Sequence, residues 1–186
     1  MEVSDTLLGR PDDAMVVEVA FVALYRATFR QVYAFARAHV ADAATAEELT
    51  SRIYLKAYQR RHRAPAQERQ RFWLFRIART TLIDYYRTES PRRAATIELD
   101  ELGDVRDTTG TPEQQLLARE RAAALLRAVG ELGTRDRELL TLKFAGRQTN
   151  QEIAEVLGVS PAAVSMRLMR ALRHLRRRLG ASESRP

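Results

Sequence analysis

Apolar residues along this chain recur three and four positions apart, and nowhere do they alternate in twos. From Val16 to about Val40 the stripe is Phe21, Leu24, Tyr25, Thr28, Val32 and Phe35, which predicts a long helix. A second helix is predicted over 45–61. Its start, Thr45-Ala46-Glu47-Glu48, reads as a capping box, and Ala46, Ile53, Ala57 and Tyr54 turn inward. After a polar interval containing Pro65, a third runs from about Arg71 to Thr88 on a core stripe of Leu74, Ile77, Ala78, Thr81 and Tyr85. Further helices are predicted at 113–130, 135–145, 150–157 and 161–179. The fold class is all-α: two small helical domains, the second containing a helix-turn-helix.

The helix-turn-helix is written by Thr149 with Glu152 (a capping box), Gly158 at a turn, and Ser160-Pro161 opening the next helix. Ser160 suits the N-cap and Pro161 the first helical position, where its missing N–H costs nothing. On that helix Val164, Leu168, Ala171, Leu175 and Leu179 share a core face. The opposite face collects Met166, Met169, Arg170, Arg173 and Arg177, with Ser165 near the start. From Ser160 to Arg178 there are six arginines and no acid, which suits the phosphates of duplex DNA. Outward methionines can meet thymine methyls in a major groove, and Ser165 can reach a base edge or a phosphate. A solvated arginine face with methionines packed on a neighbouring helix is the plainer alternative. The agreement of turn, cap and acid-free face favours DNA.

The third helix presents Arg76, Thr80, Ile83 and Arg87 away from its core stripe, flanked by Phe72 and Arg79. Arg60, Arg61, Arg63, Arg69 and Arg71 precede them, and Arg92 and Arg93 follow. Aromatics interleaved with basic residues are a surface on which single-stranded nucleic acid stacks and pairs its charge. Ordinary core is the favoured reading of the aromatics alone, and ten arginines against three acids between Arg60 and Arg93 weaken it. On the second helix Glu48, Leu49, Arg52 and Lys56 line up outside. They fit either an intrahelical Glu48–Arg52 pair of ~0.3 kcal/mol or a protein-docking strip, and periodicity does not choose.

Charge divides the 186 residues, which carry +7 in all. Residues 1–95 and 113–186 are basic, at +5 and +6, whereas 96–112 carry −4 with Gly103 and Gly110. That middle piece reads as a flexible acidic linker between domains at 16–95 and 113–180, with flexible ends at 1–15 and 181–186. Lys56 and Lys143 are the only lysines. Arginine suits bidentate phosphate contacts, and a GC-rich genome would give the same bias. There are no cysteines, and His39, His62 and His174 lack metal-ligand spacing, so no metal, cofactor or catalytic residue is expected. A nuclease would need clustered carboxylates, whereas Asp84 and Glu89 are isolated. No apolar run approaches membrane-spanning length and Glu2, Asp5, Asp12 and Asp13 do not suit a signal peptide, so a cytoplasmic protein is expected.

Together these pieces resemble a bacterial sigma factor of the extracytoplasmic-function (ECF) group. Phe21-Val22-Ala23-Leu24-Tyr25 with Val32-Tyr33-Ala34-Phe35 looks like that family's first helix. Ala46-Glu47-Glu48-Leu49-Thr50 with Tyr54-Leu55-Lys56-Ala57-Tyr58 is similar to its polymerase-binding helix. Trp73 through Arg79 and Ile83 through Arg87 match its promoter-melting helix, and Glu152 through Ser160 with Val164 through Arg170 its −35-reading module. The resemblance implies a dissociable subunit of core RNA polymerase, not an enzyme. Its first domain would dock on the β′ clamp helices through Glu48, Leu49, Arg52 and Lys56. Arg60, Arg61, Arg63, Phe72, Arg76, Arg79, Thr80, Ile83 and Arg87 would hold the melted −10 strand. The second domain would sit on the β flap and read −35 duplex through Ser165, Met166, Met169, Arg170, Arg173 and Arg177. It also leaves room for an anti-sigma factor as a partner. The chain departs from the family pattern at Ser51-Arg52, Thr80, Ser165 and Met166, positions that bear on polymerase affinity and promoter sequence. A stand-alone helix-turn-helix regulator is the competing class, and it gives no reason for the Trp73–Arg87 face.

Overall fold

A computed structural model describes residues 11–88 and 111–183. Among them lie seven α-helices and no strand: α1 Pro11–Arg37, α2 Ala43–Gln59, α3 Gln67–Thr88, α4 Pro112–Gly130, α5 Thr134–Phe144, α6 Asn150–Leu157 and α7 Pro161–Glu183. The expected N-terminal segment lies outside the described residues as far as 10, and from Pro11 onward it is already helix. The acidic linker lies outside them over 96–110, as do residues 184–186.

Helices α1, α2 and α3 pack on one another as a bundle, and α5, α6 and α7, with α4 laid along α7, form the second unit. Of the predicted inward positions, Val32, Phe35, Ala46, Ile53, Leu74, Ala78 and Tyr85 are buried, whereas Tyr25 of the α1 stripe is exposed. The start of α2 differs from expectation. Asp42, not Thr45, is its N-cap, accepting from Thr45 N at 2.7 Å, and the Thr45 hydroxyl also donates to Asp42 at 2.7 Å. A carboxylate outcompetes the hydroxyl for the free amides, and the helix gains a half-turn. In the second unit, Thr149 and Glu152 form the reciprocal capping box, and Gly158 ends α6 at φ 68°. That left-handed conformation strains any residue with a Cβ.

The two units share a core. Phe35 and Phe75 of the bundle belong to the same buried cluster as Leu139, Leu142, Ile153 and Val164 of the second. Polar contacts frame this seam: His39 Nε2 meets Thr141 Oγ1 at 2.9 Å, Arg79 pairs with Glu138 at 2.7 Å, and Arg69 with Glu155 at 3.1 Å.

Candidate nucleic-acid interface

The recognition helix follows its pattern. Val164 and Ala171 are each 1% exposed, anchoring α7 to the core, while Met166 and Met169 stand 63% and 61% exposed. Ser165, Arg170, Arg173 and Arg177 are exposed beside them. Ser160 Oγ accepts from Ala163 N at 3.1 Å, capping the helix as its sequence predicts. Two of the six arginines are engaged elsewhere. Arg167 pairs with Asp136 at 2.8 Å and Arg178 with Glu131. Both partners lie just before or within α5, so these arginines tie α7 to its own domain and leave Arg170, Arg173 and Arg177 on the outward face.

At the start of this face three elements meet. Lys143 Nζ, at the end of α5, donates to Asn150 Oδ1 at 2.8 Å, and Asn150 Nδ2, on α6, donates to Ser165 Oγ at 2.8 Å. Neither Lys143 nor Asn150 was picked out from the sequence. The signal is only positional: Lys143 precedes the capping box and Asn150 lies within it.

On α3 the structure brings Arg76, Thr80 and Arg87 to an exposed face, with Ile83 half-buried, and Arg60 and Arg63 lie exposed on the turn before the helix. Thr80 Oγ1 donates to Ile77 O at 2.9 Å. Arg61 is drawn instead to Glu18 of α1 at 3.2 Å and lies over the Tyr58 ring at 3.9 Å. Arg79 is held across the seam by Glu138. Phe72 corrects an expectation. It is 4% exposed and lines a cavity with Leu24 and Thr28 of α1, beneath the Arg69 and Arg76 guanidiniums at 4.8 and 5.8 Å. Because α3 begins at Gln67, residue 72 falls in its second turn, where it packs on α1. Its face is therefore not offered to a base.

Leu49 is a second correction. It is 2% exposed and joins the core cluster, because it sits within a quarter-turn of Ala46 and Ile53. The outermost positions of α2 are Glu47, Ser51, Leu55 and Tyr58, with Leu55 57% exposed. Glu48, Arg52 and Lys56 flank that ridge, half-buried. Glu48 and Arg52 pair at 2.5 Å, and Lys56 reaches Asp84 of α3 at 2.9 Å.

His39 also escaped the sequence reading. The ring is 4% exposed, packed on Phe35 at 4.9 Å. Thr141 Oγ1 directs its proton to the Arg137 and Glu138 carbonyls at 3.0 Å, so His39 must donate from Nε2. Nδ1 is then an unprotonated, unpartnered buried nitrogen. Burial, and then the charge of Arg137, lower its pKa to about 3. Among the described residues no group of three or more His, Asp or Glu could hold a metal, and no helix is long and apolar enough to cross a membrane.

A helix-turn-helix with an arginine-rich outward face, packed on a basic three-helix bundle, defines a two-domain all-helical protein. The sigma-70 region 2 family matches residues 17–92 and the sigma-70 region 4 family residues 122–175. The chain belongs to the sigma-70 factors, in their extracytoplasmic-function group. It is similar to the ECF RNA polymerase sigma factor BldN of Streptomyces coelicolor, 34% identical over 161 residues, 86% of this chain and 60% of that protein. It is also similar to the probable RNA polymerase sigma factor RfaY of Xanthomonas campestris, 29% identical over 170 residues, 91% of this chain and 42% of that protein. The chain therefore spans roughly half the length of these two relatives. In fold it resembles the sigma factor RpoE of Bartonella quintana, solved with the anti-sigma factor NepR. There the TM-score is 0.68 at 18% identity, covering 86% of this chain and 96% of that one.

Proposed function

We propose that this chain directs core RNA polymerase to promoters and helps melt them, without catalysis of its own. The observation that carries the reading is the α7 face. Met166, Met169, Arg170, Arg173 and Arg177 stand together, exposed and without an acid, on a helix whose opposite side is anchored by Val164 and Ala171. In this reading residues 113–180 take −35 duplex through that face and Ser165. Residues 16–95 take the melted −10 strand along Arg60, Arg63, Arg76, Thr80, Ile83 and Arg87. Arg61 and Arg79 join them once released from Glu18 and Glu138. Phe72 supports this surface from beneath. Docking on the β′ clamp helices falls to the Glu48, Arg52 and Lys56 flank, with Leu55 and Tyr58 as its apolar ridge, and the β flap takes the second domain. An anti-sigma factor as a restraining partner, and work in the cytoplasm, follow from the same reading.

The test mixes the full chain with core polymerase and a genomic promoter library and maps transcript starts. Discrete starts sharing upstream and downstream elements support the proposal. If no complex forms while the protein alone shifts duplex DNA specifically, it is a stand-alone regulator instead.

A further inference from the structure

The hydrogen bonds at the start of α7 limit what Ser165 can offer a base. Lys143 Nζ donates to Asn150 Oδ1 at 2.8 Å, and an ammonium group has no lone pair to receive anything back. That bond orients the Asn150 amide, oxygen toward α5 and Nδ2 toward α7, where it donates to Ser165 Oγ at 2.8 Å. The single Ser165 proton goes to Pro161 O at 3.1 Å, the usual back-bond of a helical serine to the carbonyl four residues earlier. A hydroxyl carries one donor and two acceptor positions. With the donor committed and one acceptor filled, one lone pair is left on an exposed side chain.

We infer that Ser165 is a specificity-determining acceptor that takes the exocyclic amino group of a cytosine or adenine in the major groove. This rests on the proposal that α7 reads duplex DNA. Only C and A offer an N–H donor on that edge, whereas guanine O6 and thymine O4 are acceptors that a lone pair repels. A phosphate is excluded as its partner for the same reason, since its oxygens only accept. Asn150 and Lys143, on two other helices, are positioning residues. They hold Oγ in place and fix the direction of the chain Lys143→Asn150→Ser165. The departure from the family pattern at residue 165 thereby has a physical meaning: this chain places an oriented acceptor there.

The experiment reconstitutes the full chain with core polymerase. A promoter library randomised across the upstream duplex element is transcribed, and the sequences that yield transcripts are counted for wild type, Ser165→Ala and Asn150→Ala. Wild type is expected to separate the amino bases C and A from the keto bases G and T at one position by roughly fivefold, the low end of a good base contact. C and A are favoured on the strand that Ser165 touches, and G and T on its complement. Ser165→Ala should flatten that position. Asn150→Ala, which leaves the Thr149–Glu152 cap in place, should lower the preference there to about twofold or less. The inference is overturned if Ser165→Ala changes no position, or if the preference it removes separates A·T from G·C pairs, or purines from pyrimidines, instead of amino bases from keto bases on one strand. A preference untouched by Asn150→Ala removes the positioning role. If wild type initiates from defined sites yet shows no preference at any upstream position, Ser165 reads nothing. If it initiates nowhere, the promoter reading falls and takes this inference with it.

Discussion

Gly146, in the turn before the helix-turn-helix, borders both units. A Cβ placed there would lie 2.6 Å from Leu142 O, 3.2 Å from Phe75 Cδ1 and 3.3 Å from Gln148 Cγ. Leu142 O is tied to Gln148 N at 3.2 Å, so it cannot retreat without loosening the turn. Phe75 is fully buried and set edge-to-face on Phe35 at 5.7 Å, so it cannot swing aside. Overpacking of this kind costs about 1–3 kcal/mol. Loss of glycine's freedom in the unfolded chain offsets roughly 0.4–1 kcal/mol, so Gly146→Ala should destabilise by ~1–2 kcal/mol. Phe75→Leu should cost a similar amount through the cavity it leaves. In the double variant the contact with Phe75 is relieved while the closer one with Leu142 O remains, so only part of the combined loss, about 0.5 kcal/mol, should return. Urea unfolding followed by the fluorescence of Trp73, the single tryptophan, measures all four proteins. The residue packs against the shared core and senses it directly. Costs that add to within ~0.3 kcal/mol would mean that Phe75 does not press on the turn in solution and that Leu142 O alone sets the cost.

Leu49→Ala should lower stability by about 2–5 kcal/mol, as for any leucine removed from a core. A variant of wild-type stability that only binds polymerase less well would return Leu49 to the docking surface. Arg173→Ala should weaken duplex binding and reduce the salt slope by about one if its guanidinium meets a phosphate, and an unchanged slope would make it a solvated charge. His39 predicts a pH dependence. Its folded pKa of about 3 lies below the usual 6.5, so the stability it contributes is complete above about pH 6.5. That contribution declines as pH falls toward 3, because the unfolded chain takes the proton first. His39→Gln should flatten stability between pH 7 and 4, and a profile parallel to wild type would refute the buried neutral ring.

Most of the fold could be read from spacing, because burial follows helical periodicity wherever one face is apolar. Val164 to Leu179 and Leu74 to Tyr85 were assigned to the right faces for that reason. Leu49 and Phe72 were not. Leu49 lies at the margin of the α2 core face, where phase alone does not distinguish inside from outside. Phe72 was misplaced because α3 starts at Gln67, and polar residues in a first turn carry no hydrophobic signal. The Lys143–Asn150–Ser165 chain and His39 were invisible for a different cause. Each joins residues from separate elements, and His39, in the turn after α1, and Thr141 are 102 positions apart. Periodicity describes one helix at a time and says nothing about what faces it.

The shared core also bears on how two DNA faces work in one chain. The α7 face is open, whereas α3 is partly covered: Arg79 is held by Glu138, Arg69 by Glu155, and Phe75 lies against Gly146. For these faces to reach separate DNA elements, the seam must part. Residues 89–110 can span at most about 75 Å, so chain length permits a wide separation. The cost lies in the seam. Uncovering a buried aromatic the size of Phe75 is unfavourable by roughly 1.5–3 kcal/mol. The exposed Arg69–Glu155 pair adds at most ~1 kcal/mol. Phe35, Leu139, Leu142, Ile153 and Val164 share a buried cluster with Phe75, so parting the whole seam costs several times as much, a sum that only a partner with a specific interface of ordinary size or larger supplies. Under the proposed function, the packed arrangement is the form that polymerase would have to open, and Arg79 would leave Glu138 for the melted strand only once the second unit parts from the bundle.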